Sequence, residues 1–264
     1  VTACANTSAS LSVVAAGSGS ISYQWRKAGV DIPGANDATL SFPALALSDG
    51  ASYSVVITAG CGSVSSSSAL LTVQPATQIA TQPLATTVCA GNAANLSVSA
   101  SGTAPFTYQW QQDGSPISGA NGALYTIASP TTANAGQYSV VVSGTCGSAT
   151  SNNALLTVNV APSITTPPAS QSICTGSPVT LSVVAAGSGP LTYQWRYGSS
   201  EIDGATGPSY EIASVSSADA GSYSVRVTGP CGTVTSVAAL LTVDAPVTTA
   251  AAGSDQTQCD SEVF

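Results

Sequence analysis

The chain has 264 residues, only 6% of them charged, and it contains no histidine. Without imidazole there is no Ser/His/Asp or Cys/His catalytic arrangement and no His-containing metal site, so we expect neither an enzyme nor a bound cofactor or metal. A net charge of −8, with only 4 basic residues, argues against nucleic acid as a partner, and no apolar run approaches the ~20 residues of a membrane span.

The cysteines reveal a tandem repeat. They alternate at gaps of 57 and 28 residues, at Cys4, Cys61, Cys89, Cys146, Cys174, Cys231 and Cys259. The period is therefore 85 residues, and the tripeptide Tyr-Gln-Trp recurs at the same period, ending at Trp25, Trp110 and Trp195. This period predicts domains at 1–75 (first strand missing), 76–160 and 161–245, and the start of a fourth domain at 246–264. We expect disulfides and an oxidising, extracellular or cell-surface location.

Within a repeat, short alternating segments predict strands. In the second repeat, apolar residues alternate with polar ones at 96–100, 106–110, 125–127, 138–142 and 156–158. Turn-forming clusters separate them, for example at 118–122 and 145–147. No segment has a helical stripe with caps. The pattern predicts an all-β chain in which each repeat is a sandwich of two antiparallel sheets.

Several motifs together resemble the immunoglobulin superfamily. A strand ending in Leu-Ser-Val is followed twelve residues later by a Trp, and then by Asp-Ala-Gly-Ser-Tyr-Ser-Val. The resemblance implies tandem immunoglobulin-like domains with the Trp on strand C and with Tyr53, Tyr138 and Tyr223 as tyrosine corners on strand F. The family's core cysteine pair is replaced by valine, and the valine pairs are Val13 with Val55, Val98 with Val140, and Val183 with Val225. Each core should then pack around its Trp alone. The variant is similar to repeats of large bacterial surface proteins, such as Bacteroidota adhesins exported by the type IX system.

This topology leaves two disulfide pairings open. Pairing within each repeat (Cys89 with Cys146) is the simpler. However, the implied topology places Cys89 at the bottom of the sandwich and Cys146 in the F–G turn, six residues beyond Val140. At ~3.3 Å per residue, those six residues raise Cys146 by roughly 20 Å, whereas a disulfide needs Cα atoms within ~7 Å. We therefore favour inter-domain pairs, Cys4 with Cys146 and Cys89 with Cys231, which would leave Cys61, Cys174 and Cys259 without partners in this chain.

Other candidate sites have simpler structural interpretations. The Trp of each repeat could stack on a sugar, but its strand C position favours the core. Arg26, Lys27 and Arg196 follow the Trp and should be solvated edge residues. One polar residue lies four positions before each corner tyrosine, and these three residues are Asp49, Asn134 and Asp219. They could seed a calcium site, but turn capping is the better interpretation because calcium needs six to eight oxygens.

The sequence therefore favours a structural function. The main hypothesis is a non-catalytic stalk of an extracellular bacterial surface fibre or adhesin, a rod stiffened by disulfides. The alternative is a glycan- or protein-binding immunoglobulin-like module within an adhesin. Further repeats of the same chain are the expected partners, and the near-uncharged surface would also permit lateral homo-oligomers in a filament.

Overall fold

The computed structural model describes residues 1–245, and the regular elements in this range are short β-strands and single 3-10 turns. No helix within it is long and apolar enough to cross a membrane. The predicted start of a fourth repeat, residues 246–264 with Cys259, lies outside the described residues.

The strands recur from repeat to repeat at the predicted period. The first repeat contains β1 Thr2–Cys4, β2 Ala9–Ser12, β3 Ser22–Lys27, β4 Val30–Asp31, β5 Thr39–Phe42, β6 Ala51–Ala59, β7 Gly62–Ser65 and β8 Ala69–Gln74. The second contains β9 Gln78–Thr81, β10 Thr86–Cys89, β11 Ala94–Ser97, β12 Ser99–Ser101, β13 Thr107–Gln112, β14 Ser115–Pro116, β15 Leu124–Ile127, β16 Gly136–Gly144, β17 Gly147–Thr150 and β18 Ala154–Asn159. The third contains β19 Ser163–Thr166, β20 Gln171–Cys174, β21 Val179–Ser182, β22 Val184–Ala186, β23 Thr192–Tyr197, β24 Ser200–Glu201, β25 Ser209–Ile212, β26 Gly221–Gly229, β27 Gly232–Thr235 and β28 Ala239–Asp244. The 3-10 turns are Leu47–Asp49, Thr132–Asn134 and Ser217–Asp219.

The first repeat is built from two sheets, and each of the other two has one further two-stranded sheet. In the first repeat the larger sheet has the order β1-β8-β6-β3-β4, with β7 also paired to β6, and β2 pairs with β5 in the other sheet. Strand β1 runs parallel to β8, and the other pairs are antiparallel. The third repeat repeats this order with β20 to β28 and adds the pair β19–β22. The second repeat has the corresponding pair β9–β12. Within residues 1–245, the first repeat has no counterpart of β9 or β19.

The core of each repeat surrounds its tryptophan. Trp25, Trp110 and Trp195 are at most 4% exposed, and each pairs in register with a valine of the adjacent long strand. Those valines, Val55, Val140 and Val225, are fully buried. Aliphatic and aromatic side chains thus fill the space that a core disulfide would occupy.

By its internal contacts, the chain divides into two compact units. The first consists of Val1–Thr86, Ala94–Ile127 and Gly136–Leu156, and the second of the remaining described residues. The chain passes from one unit to the other after residues 86, 93, 127, 135 and 156, and none of these points is the repeat boundary at residue 75 or at residue 160. The connection between the first and second repeats therefore lies inside the first unit, and the connection between the second and third repeats lies inside the second unit.

Candidate functional site

The tryptophan of the Tyr-Gln-Trp motif is a core residue. Each indole N–H donates a hydrogen bond to the carbonyl twelve residues later, and the acceptors are Asp37 for Trp25 (2.9 Å), Gly122 for Trp110 (2.9 Å) and Gly207 for Trp195 (3.0 Å). With at most 4% of each tryptophan exposed and its indole N–H satisfied, these residues offer too little surface for a sugar to stack on.

The glutamine of the motif fixes the strand to the hairpin beside it. In the second repeat, the Gln109 amide donates to the carbonyl of Trp110 (3.0 Å) and to that of Ile117 (2.8 Å). Gln24 and Gln194 make the same two bonds in their repeats. Because this bonding pattern recurs in all three repeats, the polar middle of the motif also has a structural role.

The residues considered for calcium cap turns instead. The side chains of Asp49, Asn134 and Asp219 accept hydrogen bonds from the backbone N–H three residues earlier, at 2.8–2.9 Å. The hydroxyls of Tyr53 and Tyr223 donate to the carbonyls of Asp49 and Asp219 (2.8 and 2.9 Å), which forms the tyrosine corner. The turn-capping interpretation is confirmed, and the described residues contain no group of three His, Cys, Asp or Glu that could hold a metal.

The basic residues after the tryptophans pair with neighbours at the surface, and the side chains of Arg26 and Lys27 are 39% and 36% exposed, in agreement with the expectation of solvated residues. Arg26 forms an ion pair with Asp31 (2.6 Å), which lies opposite it across the β3–β4 hairpin. Lys27 contacts Asp49 (3.6 Å), and the Arg196 guanidinium donates to the carbonyl of Ser199 (2.6 Å). The short hairpin brings Asp31 and Ser199 within reach of the strand, whereas Asp49 belongs to the 3-10 turn Leu47–Asp49. The side chains therefore lie along the surface.

Of the six cysteines within residues 1–245, four form two disulfides. One joins Cys4 to Cys146, with Cα atoms 5.4 Å apart, and the other joins Cys89 to Cys231, with Cα atoms 5.6 Å apart. Both span 142 residues, so each links the first cysteine of one repeat to the second cysteine of the next. Cys61 is exposed at the turn between β6 and β7, and Cys174 is half-buried at the end of β20.

Around the first disulfide, a short linker crosses between the same two repeats. We call this linker, Gln74 to Thr77, the first joint. Gln74 lies opposite Cys4 in the β1–β8 register, and the Thr77 N–H donates to the carbonyl of Cys146 (3.1 Å). The Thr103 hydroxyl donates to the carbonyl of Pro75 (3.2 Å). The linker joins the end of β8 to the start of β9, and the disulfide beside it joins the end of β1 to the turn between β16 and β17, so two attachments connect the same two repeats.

The second joint, Asn159 to Pro162, is built in a similar way beside Cys89–Cys231. The Ala90 N–H donates to the carbonyl of Asn159 (2.7 Å). Val160 exchanges two bonds with Ser188, because its N–H donates to the Ser188 hydroxyl (2.8 Å) and its carbonyl accepts from the Ser188 N–H (3.0 Å). The backbone of both joints is therefore held by hydrogen bonds.

Known proteins provide an independent comparison. A family model described as an immunoglobulin domain matches residues 161–228, and a model of a domain of unknown function matches residues 79–160. A three-domain fragment of titin superposes with a TM-score of 0.70 at 20% identity, covering 92% of this chain and 95% of that one. These are immunoglobulin-like domains. Three of them follow one another at the 85-residue period.

More distant and partial matches extend the comparison. Three N-terminal domains of the highly immunogenic outer capsid protein of bacteriophage RB49 superpose with a TM-score of 0.51 at 17% identity, over 91% of this chain and 95% of that one. The decoration protein of Escherichia phage T5 is 51% identical over 53 residues, or 20% of this chain and 32% of that protein. The muscle M-line assembly protein unc-89 of Caenorhabditis elegans is 26% identical over 271 residues, or 90% of this chain. The chain corresponds to only 3% of that protein's length.

Two corner tyrosines of the immunoglobulin-like domains, Tyr138 and Tyr223, have raised pKa values. Burial, with smaller contributions from Tyr125 and Asp113, raises the pKa of Tyr138 to about 12. Burial, with smaller contributions from Asp219 and neighbouring tyrosines, raises the pKa of Tyr223 to about 12. Burial disfavours the charged phenolate, so the folded domain opposes deprotonation of these two hydroxyls.

Sequence reasoning missed several of these contacts. The motif glutamine was not singled out, although a polar residue repeated between two aromatic ones on a strand indicates a specific hydrogen bond. The ion pair of Arg226 with Glu201 (2.7 Å) was also missed. The backbone bonds at the joints have no sequence signature apart from the shortness of the linkers.

Proposed function

We propose that this chain is a non-catalytic stalk segment of an extracellular bacterial surface fibre or adhesin, in which disulfides between successive domains resist mechanical extension. The observation that carries the proposal is that both disulfides link one immunoglobulin-like domain to the next. A disulfide that only stabilised one fold would connect cysteines of the same domain. A disulfide between neighbouring domains strengthens their connection when a pulling force acts on it.

The covalent path supports this mechanical function. From Val1, tension reaches Cys4, crosses to Cys146, follows the chain back to Cys89, and crosses again to Cys231. The residues between Cys4 and Cys89 lie outside this path. If the first domain unfolded under tension, the chain would lengthen little, because the disulfide rather than the fold would carry the force.

An extracellular location for such a stalk agrees with the chemistry of the chain. Disulfides persist in oxidising compartments such as the cell exterior. The motif Tyr-Gln-Trp followed by Asp-Ala-Gly-Ser-Tyr-Ser-Val resembles repeats of Bacteroidota surface adhesins exported by the type IX system, which we propose as the source. With 6% charged residues, the surface would also allow lateral contact between chains in a filament.

A second candidate is a glycan- or protein-binding module within an adhesin. The match of 53 residues to a phage decoration protein favours it, because that name describes a protein applied to another surface. The three domains are, however, nearly alike in their motifs. A binding module would be expected to carry one domain with its own distinct surface.

The two candidates differ in what one domain contributes. The chain is displayed on cells between an anchor and a reporter that binds a large bead. If the chain is a stalk, deleting residues 76–160 should reduce bead capture, and replacing them with a second copy of residues 161–245 should restore bead capture.

As a control, the chain without a reporter is tested for binding to glycan and matrix-protein arrays. Array binding that the deletion abolishes and the replacement does not restore would refute the stalk and support the binding module.

A further inference from the structure

Each of the three domains has one strand that pairs on one side only. Among the strands of residues 1–245, β5 pairs only with β2, β15 only with β11, and β25 only with β21. We call β5, β15 and β25 the edge strands. Because all three domains have one, the feature belongs to the fold of the repeat. An unpaired strand presents a row of N–H and C=O groups with which another strand can pair.

In the second domain, the backbone groups of two residues face this open side. The Val98 N–H donates to the carbonyl of Ala123 (3.0 Å), so the backbone groups of residue 123 face β11. Backbone groups alternate in direction along an antiparallel strand. The N–H and C=O groups of Leu124 and Thr126 therefore point away from β11. Leu124 is 58% exposed, and Thr126 is exposed as well.

The edge strands of the first and third domains carry residues that oppose pairing. In the third domain Glu211 lies within β25, and Pro208 comes directly before it. In the first domain Asp37 comes two residues before β5, and Pro43 follows β5 directly. Charged residues and prolines prevent association at sheet edges, because a charge resists burial and a proline has no N–H to donate.

The second domain has no such protection. Its residues at the four equivalent positions are uncharged and are not proline, namely Gly122, Ala123, Thr126 and Ala128. Residues 117–129 contain neither a charged residue nor a proline, and Asp113 is the single charged residue of the repeat 76–160. Of the three edge strands, β15 is therefore the one that is open to pairing.

We propose that β15 pairs antiparallel with β15 of a second copy of this chain. A two-fold axis beside Tyr125 sets Leu124 opposite the partner's Thr126, and Thr126 opposite the partner's Leu124. Each of these residues then donates its N–H to the residue opposite and accepts a bond from it, as in the hydrogen-bonded pairs of any antiparallel ladder. Because the same patch serves on both chains, the contact closes as a dimer.

The charge of the chain favours this strand as the contact between two copies. Two chains with a net charge of −8 each repel one another. At β15 no charged side chain has to be desolvated or brought beside a like charge. The pairing also covers the exposed Leu124 with a side chain of the partner. It deepens the lateral contact suggested above for a filament, but its test in solution does not depend on the stalk function.

The test combines sedimentation of the full oxidised chain with amide hydrogen exchange. At about ten times the dissociation constant of the dimer, about 80% of the chains are paired, so exchange of the Leu124 and Thr126 amides should slow about fivefold. The Tyr125 amide already faces β11 and should change little. The amides of Ser209 and Glu211 in β25 are the control within the same molecule and should not change.

Substitutions then test the strand itself. The two copies of residue 126 are diagonal neighbours in the proposed pair, ~7–8 Å apart and within reach of long side chains. Thr126→Glu should therefore raise the dissociation constant about tenfold or more, and mixing with a Thr126→Lys chain should restore pairing. Both variants lose the bond of the Thr126 hydroxyl to Asn95 (2.7 Å), so recovery on mixing separates charge from the lost bond. The matched control, Ser115→Glu, adds the same charge to the exposed β14 of the larger sheet and should leave the dimer unchanged.

Several results would overturn the proposal. One is a chain that stays monomeric at every soluble concentration, and another is a dimer whose Leu124 and Thr126 amides are not protected. A dimer that survives Thr126→Glu, is lost in Ser115→Glu, or does not recover on mixing the two Thr126 variants would also refute it. So would a monomer in which an added peptide of residues 122–128 protects these amides, because the edge would then take a free strand instead of a second folded copy.

Discussion

Replacing single cysteines should change the length to which the oxidised chain can be stretched, by amounts that the disulfide pairing determines. We compare Cys4→Ser with Cys61→Ser. Cys4 is bonded to Cys146, whereas Cys61 lies exposed in a turn outside both disulfides. Both substitutions remove a cysteine of the first domain, so the second serves as the matched control.

The magnitude follows from the covalent path from Val1 to Ala245. In the oxidised chain it comprises 3 residues to Cys4, 57 from Cys146 back to Cys89 and 14 from Cys231 onward, about 74 in all. Cys4→Ser replaces the first two portions by the 88 residues from Val1 to Cys89, a gain of about 28. At ~3.3–3.6 Å per residue this is roughly 90–100 Å. Cys61→Ser should add nothing.

Single-molecule force spectroscopy measures these lengths directly. The chain is held by handles at its two ends, pulled until all domains have unfolded, and fitted for contour length with and without reductant. Full reduction should lengthen the oxidised chain by about 170 residues, or ~600 Å. This value alone does not distinguish the pairings, because bonds within repeats would hide a similar length.

The variants do distinguish them. If the bonds lay within repeats, each substitution would release the same 57-residue loop, about 200 Å at the per-residue length above. Equal gains of about 200 Å for Cys4→Ser and Cys61→Ser would therefore refute the inter-domain path. A gain of roughly 90–100 Å for the first and none for the second would support it.

Further predictions concern the joints, the core and the solution conditions. Deleting residues 76–160 should create a Cys4–Cys231 disulfide, detectable by mass spectrometry, because the third domain then follows the first directly; two free thiols in the folded deletion would contradict this. Trp110→Ala should lower the free energy of unfolding by about 3–5 kcal/mol, and Gln109→Ala by about 1–3 kcal/mol through its two lost hydrogen bonds, both measured by chemical denaturation; Gln109→Ala without effect would contradict the bonds seen. The raised pKa of Tyr138 contributes stability that is fully present below pH 10.0, the ordinary pKa, and is lost as the pH rises towards about 12. The melting temperature should therefore fall between these two pH values, and it should fall less in a folded Tyr138→Phe chain. The folded chain should also resist trypsin, and its melting temperature should hardly change with salt, because only 4 basic residues are present; a shift of many degrees would show missed electrostatics.

The fold was predictable because the same strand pattern occurs in three repeats of the sequence. Alternation around Trp25, Trp110 and Trp195 identifies the same strand in each repeat, and agreement between copies removes the ambiguity of any short apolar run. The turn-capping interpretation of Asp49 and Asp219 also followed from local chemistry. A side chain that bonds a backbone group three residues away depends only on the turn that contains it.

Contacts between strands that are distant in sequence were less predictable. The ion pair of Arg26 with Asp31 depends on the two-residue strand β4, which brings Asp31 opposite Arg26, and strand alternation does not reveal so short a strand. By contrast, the short opening of the first repeat was visible in the sequence, and within residues 1–245 that repeat has no counterpart of β9 or β19.

The arrangement of disulfides between domains is tested most directly by mapping them in the native protein. The oxidised chain is digested with pepsin at acid pH, which suppresses thiol exchange, and cross-linked peptides are identified by mass spectrometry. We predict peptides that join Cys4 to Cys146 and Cys89 to Cys231. A peptide joining Cys89 to Cys146, the two cysteines of one domain, would contradict the inter-domain pairing and the mechanical function built on it.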